Sequence, residues 1–129
     1  KNRGNGMKIK KNRKPRTFFV GKKKNIKIKH LADIFLNNNE LLTFKDNKSE
    51  YDFSKKNWGY YSTPSINSRL KKFDYKVCLV KNTSDKRYFI FTVKNTKKKE
   101  FKKYLSTEKL KVVFWFTNNI LKKLDELYL

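Results

Sequence analysis

Acidic side chains are scarce: 11 Asp and Glu stand against 34 Lys and Arg in 129 residues, a formal net charge of +23. Most of the cations therefore have no acidic partner to neutralise them. Cysteine is nearly missing, and the single Cys78 excludes an internal disulfide and any cysteine-based metal cluster. The one histidine, His30, has no nucleophile or metal-ligand partner at a recognised spacing, so it reads as a structural residue. No apolar run approaches the roughly 20 residues of a membrane span, and the basic start is not followed by the apolar stretch of a signal peptide. The expectation is a cytoplasmic protein with no membrane span. No Walker loop, dinucleotide fingerprint or zinc spacing occurs, so no cofactor is expected. Without paired carboxylates or an activated nucleophile, the sequence leans towards binding and away from catalysis.

What is present makes a folded protein. With 37% apolar residues and 16% aromatics, the chain carries enough Phe, Tyr, Trp, Ile, Leu and Val for a core, which excludes a wholly disordered polycation. Abundant Lys and Asn with a single Ala are also what a bias towards A/T-rich codons would produce, so codon habit and selection for a polyanion are alternative sources of the charge. That habit does not explain the shortage of Glu. Position is more informative than the sum, because residues 1 to 32 hold 13 basic residues and no acidic one. Such a cluster is the electrostatic footprint of a polyanion-binding protein.

Residues 1 to 16 mix Lys, Arg, Asn and Gly without periodicity and read as a flexible basic arm, with order beginning at Thr17 and a single α+β domain over 17–129. The cations expected to meet nucleic acid are Lys8, Lys10, Lys11, Arg13, Lys14, Arg16, Lys22, Lys23 and Lys24. Gly21 and the lysines after it read as a turn, and Ile26 and Ile28 alternate with Lys27 and Lys29 as in a half-buried strand. Leu41 to Phe44 and Tyr51 to Phe53 form a hairpin through Asp46-Asn47-Lys48.

Thr63 before Pro64 is an N-cap followed by a proline at the first helical position, and Ile66, Leu70 and Phe73 share one face of a helix over about 64 to 73. Tyr75 to Lys81 and Arg87 to Lys94 are strands joined by the turn-forming run Asn82-Thr83-Ser84-Asp85. Thr96 is placed to cap a helix that presents Phe101, Tyr104 and Leu105, Val112 to Phe116 reads as a buried strand, and Asn118 or Asn119 caps a last helix. The expected fold is α+β: an antiparallel sheet with two to three helices and a possible ferredoxin-like βαββαβ core, preceded by the basic arm and an N-terminal β-hairpin.

The densest group of specific side chains is Trp58, Tyr60, Tyr61, Ser62, Thr63, Ser65, Asn67 and Arg69. Hydroxyls at a helix N-terminus, a guanidinium and stacking rings make an anion or ligand site there. The plainer alternative is that Thr63 only caps, Trp58 and one tyrosine are core, and Arg69 pairs with Asp52 or Glu50. A second surface is the Arg87 to Val93 strand, which occupies the place of the base-stacking strand of RNA-recognition domains but lacks their glycines. Cys78, in an apolar strand, reads as a small hydrophobe. The last helix offers Ile120, Leu124 and Leu127 either as core or as a surface for a protein partner.

The run Glu50-Tyr51-Asp52 followed by Trp58-Gly59-Tyr60-Tyr61-Ser62-Thr63-Pro64-Ser65-Ile66-Asn67-Ser68-Arg69-Leu70 resembles a group of short bacterial proteins of uncharacterised function, over about residues 13 to 116. The resemblance implies a setting in surface-carbohydrate synthesis, hence a sugar-nucleotide or glycan ligand. It carries over no site residues. Three expectations result: binding of RNA or another polyanion; an accessory protein or enzyme of sugar-nucleotide metabolism holding a phosphorylated ligand near Thr63 and Arg69; or a subunit of a larger assembly.

Overall fold

Pairing of neighbouring strands organises the chain. The computed structural model describes residues 6–129. It is α+β, with eight strands in antiparallel sheets and three helices, and it divides into two compact units, Lys1–Thr63 and Pro64–Leu129. The sequence suggested one domain from residue 17, and the division lies within the segment expected to form one ligand site.

In the first unit, strands β1 (Lys8–Val20) and β2 (Ile26–Phe35) form a two-stranded antiparallel ribbon. Gly21 at φ 94° and Lys24 at φ 51° turn the chain between them, closed by Lys24 N–H donating to the Gly21 carbonyl at 3.0 Å. The basic segment expected to be a flexible arm is thus a strand from Lys8 onward. Its own residues have weak strand propensity, and the partner ladder supplies the order. Residues 1–5 of the expected arm lie outside the described residues. Strands β3 (Leu41–Asp46), β4 (Ser49–Lys56) and β5 (Gly59–Ser62) make a second sheet with β4 in the centre. Asn47 at φ 57° makes the expected β3–β4 turn, as Asn tolerates the left-handed region.

The second unit begins with a turn and the short helix α1 (Arg69–Lys72). Strands β6 (Tyr75–Asn82), β7 (Tyr88–Lys94) and β8 (Leu110–Trp115) pair in the order β7-β6-β8, with α2 (Lys98–Glu108) between β7 and β8 and α3 (Asn118–Tyr128) at the end. Register puts Cys78, Val80, Phe89, Phe91, Val93 and Val112 on the sheet face that receives Phe101 and Leu105 of α2. Cys78, Val80 and Val93 are buried there. On the chain's other buried apolar positions, Leu70 belongs to α1, which packs on β6, and Val77 lies within β6. Among the described residues, every fully buried apolar side chain is therefore in the second unit, whereas the buried side chains of the first are Ser49, Asp52 and Ser54.

Three helix starts differ from expectation. The helix placed at 64 to 73 is confined to Arg69–Lys72, because Ser65 intercepts it: its Oγ accepts from Arg69 N–H at 3.0 Å and its carbonyl from Leu70 N–H at 3.0 Å. Helix α2 begins after a 3₁₀ turn, Asn95–Lys97, with no side-chain cap, so Thr96 does not cap it. Thr117, one residue before the expected asparagines, caps α3 by accepting from Ile120 N–H at 3.2 Å. In α3 Ile120 and Leu124 are half-buried, but Leu127 and Tyr128 stand 73% and 80% exposed, so the end of the stripe is not docked as core.

Candidate functional site

The eight residues singled out around Thr63 are shared between the units: Trp58, Tyr60, Tyr61, Ser62 and Thr63 belong to the first, and Ser65, Asn67 and Arg69 to the second. With α1 only four residues long and starting at Arg69, the anion-binding helix start at Thr63 is not formed. Thr63 instead continues the sheet, its N–H donating to the Asp52 carbonyl at 3.1 Å. Its Oγ1 is buried with no hydrogen-bond partner among the described residues. Ser65 is engaged with Arg69, and Asn67 is exposed.

The aromatic residues of the segment do form ordered groups. Gly59, at φ 142°, makes the β4–β5 turn that carries Trp58. The Trp58 ring stacks on Tyr61 with centroids 5.9 Å apart and planes at 24°. Tyr60 points to the opposite face and stacks on Phe53 at 6.2 Å and 24°, with Lys55 Nζ 5.6 Å from its centroid. Register adds Phe44 and Tyr51, directly paired across β3 and β4, to the face of Phe53 and Tyr60, with Ser62 beside Phe53. Phe44 and Tyr60 are about equally open, 59% and 60% exposed. On the other face Thr43 Oγ1 donates to the buried Asp52 carboxylate at 2.8 Å, and Lys45 pairs with Glu50 at 3.3 Å. Phe44, Tyr51 and Phe53 were absent from the sequence-derived site, although Phe44-x₆-Tyr51-x-Phe53 has hairpin spacing that puts all three on one face.

The ribbon gathers the cations. Residues 8 to 35 contain eleven Lys and Arg and one acid, Asp33. Lys8, Lys10, Lys11, Arg13, Lys14 and Arg16 are exposed on β1, Lys22, Lys23 and Lys24 occupy the turn, and Lys27 and Lys29, missing from the expected set, extend it along β2. Pairing puts Phe18, Val20, Ile26, Ile28 and Ile34 on one face, and Lys8, Lys10, Lys27 and Lys29 on the other together with Phe19 and Phe35. Arg16 lies at the border of the apolar stripe, its guanidinium carbon 5.4 Å from the Phe18 ring centroid. Where the register shifts between Lys11 and Arg16, Asn12 Nδ2 donates to the His30 carbonyl at 2.7 Å and lies 3.3 Å from His30 Nδ1. His30 Nε2 is 2.8 Å from Asp33 Oδ1. Both ring nitrogens are thus engaged in holding the ribbon, the structural role expected of this histidine.

The second unit contains a cavity of about 370 Å³ lined by Asn67, Lys71, Asp74, Lys76, Asn95 and Trp115, among others. Asn95 donates to Asp74 Oδ1 at 2.8 Å, while its own Oδ1 is buried without a hydrogen-bond partner among the described residues. The neighbouring ammonium of Lys76 holds the pKa of Lys98 below its usual value. Cys78 is fully buried, and desolvation pushes its thiol up to about 11, so at neutral pH it carries no thiolate to attack a substrate. Among the described residues no group of three His, Cys, Asp or Glu is placed to hold a metal, and no helix is long and apolar enough to cross a membrane. No family model, curated protein or solved structure matches the chain.

Proposed function

We propose that this protein binds nucleic acid, with RNA the favoured polyanion, and that the ribbon of β1 and β2 supplies most of the electrostatic affinity. The observation that carries this reading is the ratio of eleven cations to one acid over residues 8 to 35, eight of them on the two strands and three in the turn, all exposed. Ordering those side chains on a ladder reduces the entropy lost when they meet phosphates, compared with a flexible arm. Each phosphate neutralised releases counterions, so affinity falls steeply with salt. The test is fluorescence anisotropy with a generic RNA over a salt series. Tight binding at low salt is expected, with a log–log salt slope that becomes shallower by about 0.7 for each single-strand phosphate contact removed by Lys→Gln changes at Lys10, Lys27 and Lys29. Absence of binding at low salt would overturn the proposal.

A second reading rests on the cavity of the second unit. Lys71 and Lys76 offer charge to a phosphate, Asn95 Oδ1 offers an acceptor to a hydroxyl, and Trp115 offers a ring, the combination a sugar nucleotide requires. A phosphate beside Lys76 would also relieve its repulsion with Lys98. Thermal-shift screening with nucleotide sugars distinguishes the readings, since a ligand that binds only the folded state raises Tm. A shift abolished by Lys76→Gln, with RNA binding retained, would establish this site as separate from the ribbon.

A further inference from the structure

The sheet of β3, β4 and β5 has a face that is exposed at Phe44, Phe53 and Tyr60 and half-buried at Tyr51. Phe44, Tyr51, Phe53 and Tyr60 occupy it, and the first and last are the most exposed. We propose that this face stacks the unpaired bases of a single-stranded nucleic acid, so that the protein prefers single strands to duplexes. The inference rests on the nucleic-acid reading and specifies which form is bound.

The four rings are arranged as a platform. Phe44 and Tyr51 are a direct cross-strand pair, Phe53 follows Tyr51 on the same side of β4, and Tyr60 stacks on Phe53. Rings two residues apart on a strand are separated by about 7 Å. That is roughly twice the 3.4 Å rise per nucleotide of a stacked strand, which suits bases drawn apart and laid on separate rings. The bases of a duplex are already stacked on one another and present only their edges, so they cannot use such a surface.

Charge favours a nucleic acid over an apolar partner as the occupant. Lys55 stands over Tyr60, and its Nζ is positioned by the Lys56 carbonyl at 2.8 Å and Asn38 Oδ1 at 3.3 Å. A cation is therefore fixed at the edge of the platform, where the phosphate of a stacked nucleotide passes. Ser62 shares the face, and its one acid among the described residues, Asp46, lies two residues beyond Phe44 at the β3–β4 turn. Lys45, on the opposite face, is already paired with Glu50.

The experiment compares an RNA of about 12 unstructured nucleotides with a blunt duplex of the same sequence, at matched salt. The proteins are the wild type, a Phe44→Leu/Tyr60→Leu variant and a Phe44→Tyr/Tyr60→Phe variant. Leucine keeps these exposed positions apolar, and the second variant keeps both rings. Wild type is expected to favour the single strand, and the leucine variant to lose about tenfold or more of single-strand affinity. Its duplex affinity and salt slope should stay unchanged, and the ring-preserving variant should bind like wild type. Equal affinity of wild type for both forms, or an unchanged leucine variant, would overturn the platform while leaving the ribbon's phosphate binding intact. Failure to bind either form would overturn both. Self-association in sedimentation that disappears in the leucine variant would instead assign the face to a second copy and overturn base stacking.

Discussion

The side-chain amide of Asn12 donates to the main-chain carbonyl of His30 at 2.7 Å, where residues 12 to 15 of β1 stand opposite Leu31 alone. The ladder is interrupted here, so this side chain replaces the missing strand pairing and joins the two halves of the ribbon.

Asn12→Ala should therefore loosen the ribbon locally by about 1 kcal/mol, the usual net worth of one hydrogen bond. Amide exchange of Thr17 to Val20 and Ile26 to His30 should speed up, while that of β6 remains unchanged. Unchanged exchange in the ribbon would show that the strand ladder alone sustains the register shift.

Thr43 provides a hydrogen bond to a buried carboxylate, Asp52, at 2.8 Å. Thr43→Val preserves shape and removes the donor, which should cost about 1–2 kcal/mol. Urea denaturation followed through the Trp58 and Tyr61 pair would register the change as a lower midpoint.

The second unit should distinguish interior from surface sharply. Val80 is fully buried and Leu127 is 73% exposed. Val80→Ala should cost about 2 kcal/mol through lost burial and the cavity left behind, whereas Leu127→Ala should fall within about 0.5 kcal/mol of wild type. Thermal or chemical denaturation of the two variants gives the comparison directly.

Burial of Cys78 makes alkaline stability a measure of this core. Its thiol is raised from 9.0 to about 11, so between those values the native state holds a proton that the unfolded state has lost. The contribution is fully present below pH 9 and disappears as pH rises through about 11. Wild type should lose about 2 kcal/mol more than Cys78→Ala over this window, at roughly 1.4 kcal/mol per pH unit. Parallel pH profiles would refute the assignment.

The second unit was the most legible in the sequence. The β6–β7 hairpin was marked by runs rich in Val, Phe, Tyr and Ile on either side of Asn82 to Asp85, and the turn is closed by Asn82 Oδ1 accepting from the N–H groups of Ser84 and Asp85. Arg87 completes it by hydrogen bonding to Asp85, whose pKa it lowers. Phe101 and Leu105 also took their expected places against the core. The Thr63-Pro64 signal misled because a helix start is specified only when no nearby side chain competes for the same backbone groups, and Ser65 competes here. The ribbon was hidden for a different reason. Lys, Arg and Asn have little strand preference of their own, and the order of Lys8 to Arg16 comes from a partner strand some twenty residues away. The candidate site was visible as a cluster of aromatic letters. Its division between two units, and the recruitment of Phe44, Tyr51 and Phe53, depend on register and on where the chain ceases to pack.

Among the described residues the ribbon is a sheet of two strands, so the outer edge of each is left without a ladder partner, and Phe19, Leu31 and Phe35 are more than half exposed on its lysine-bearing face. Open edges with exposed apolar side chains are the usual starting point for edge-to-edge aggregation. Mutual repulsion of the closely spaced lysines opposes that approach between copies. The cations thus act as colloidal protection whatever else they meet, and a polyanion that neutralised them would also have to cover or separate the edges it left undefended.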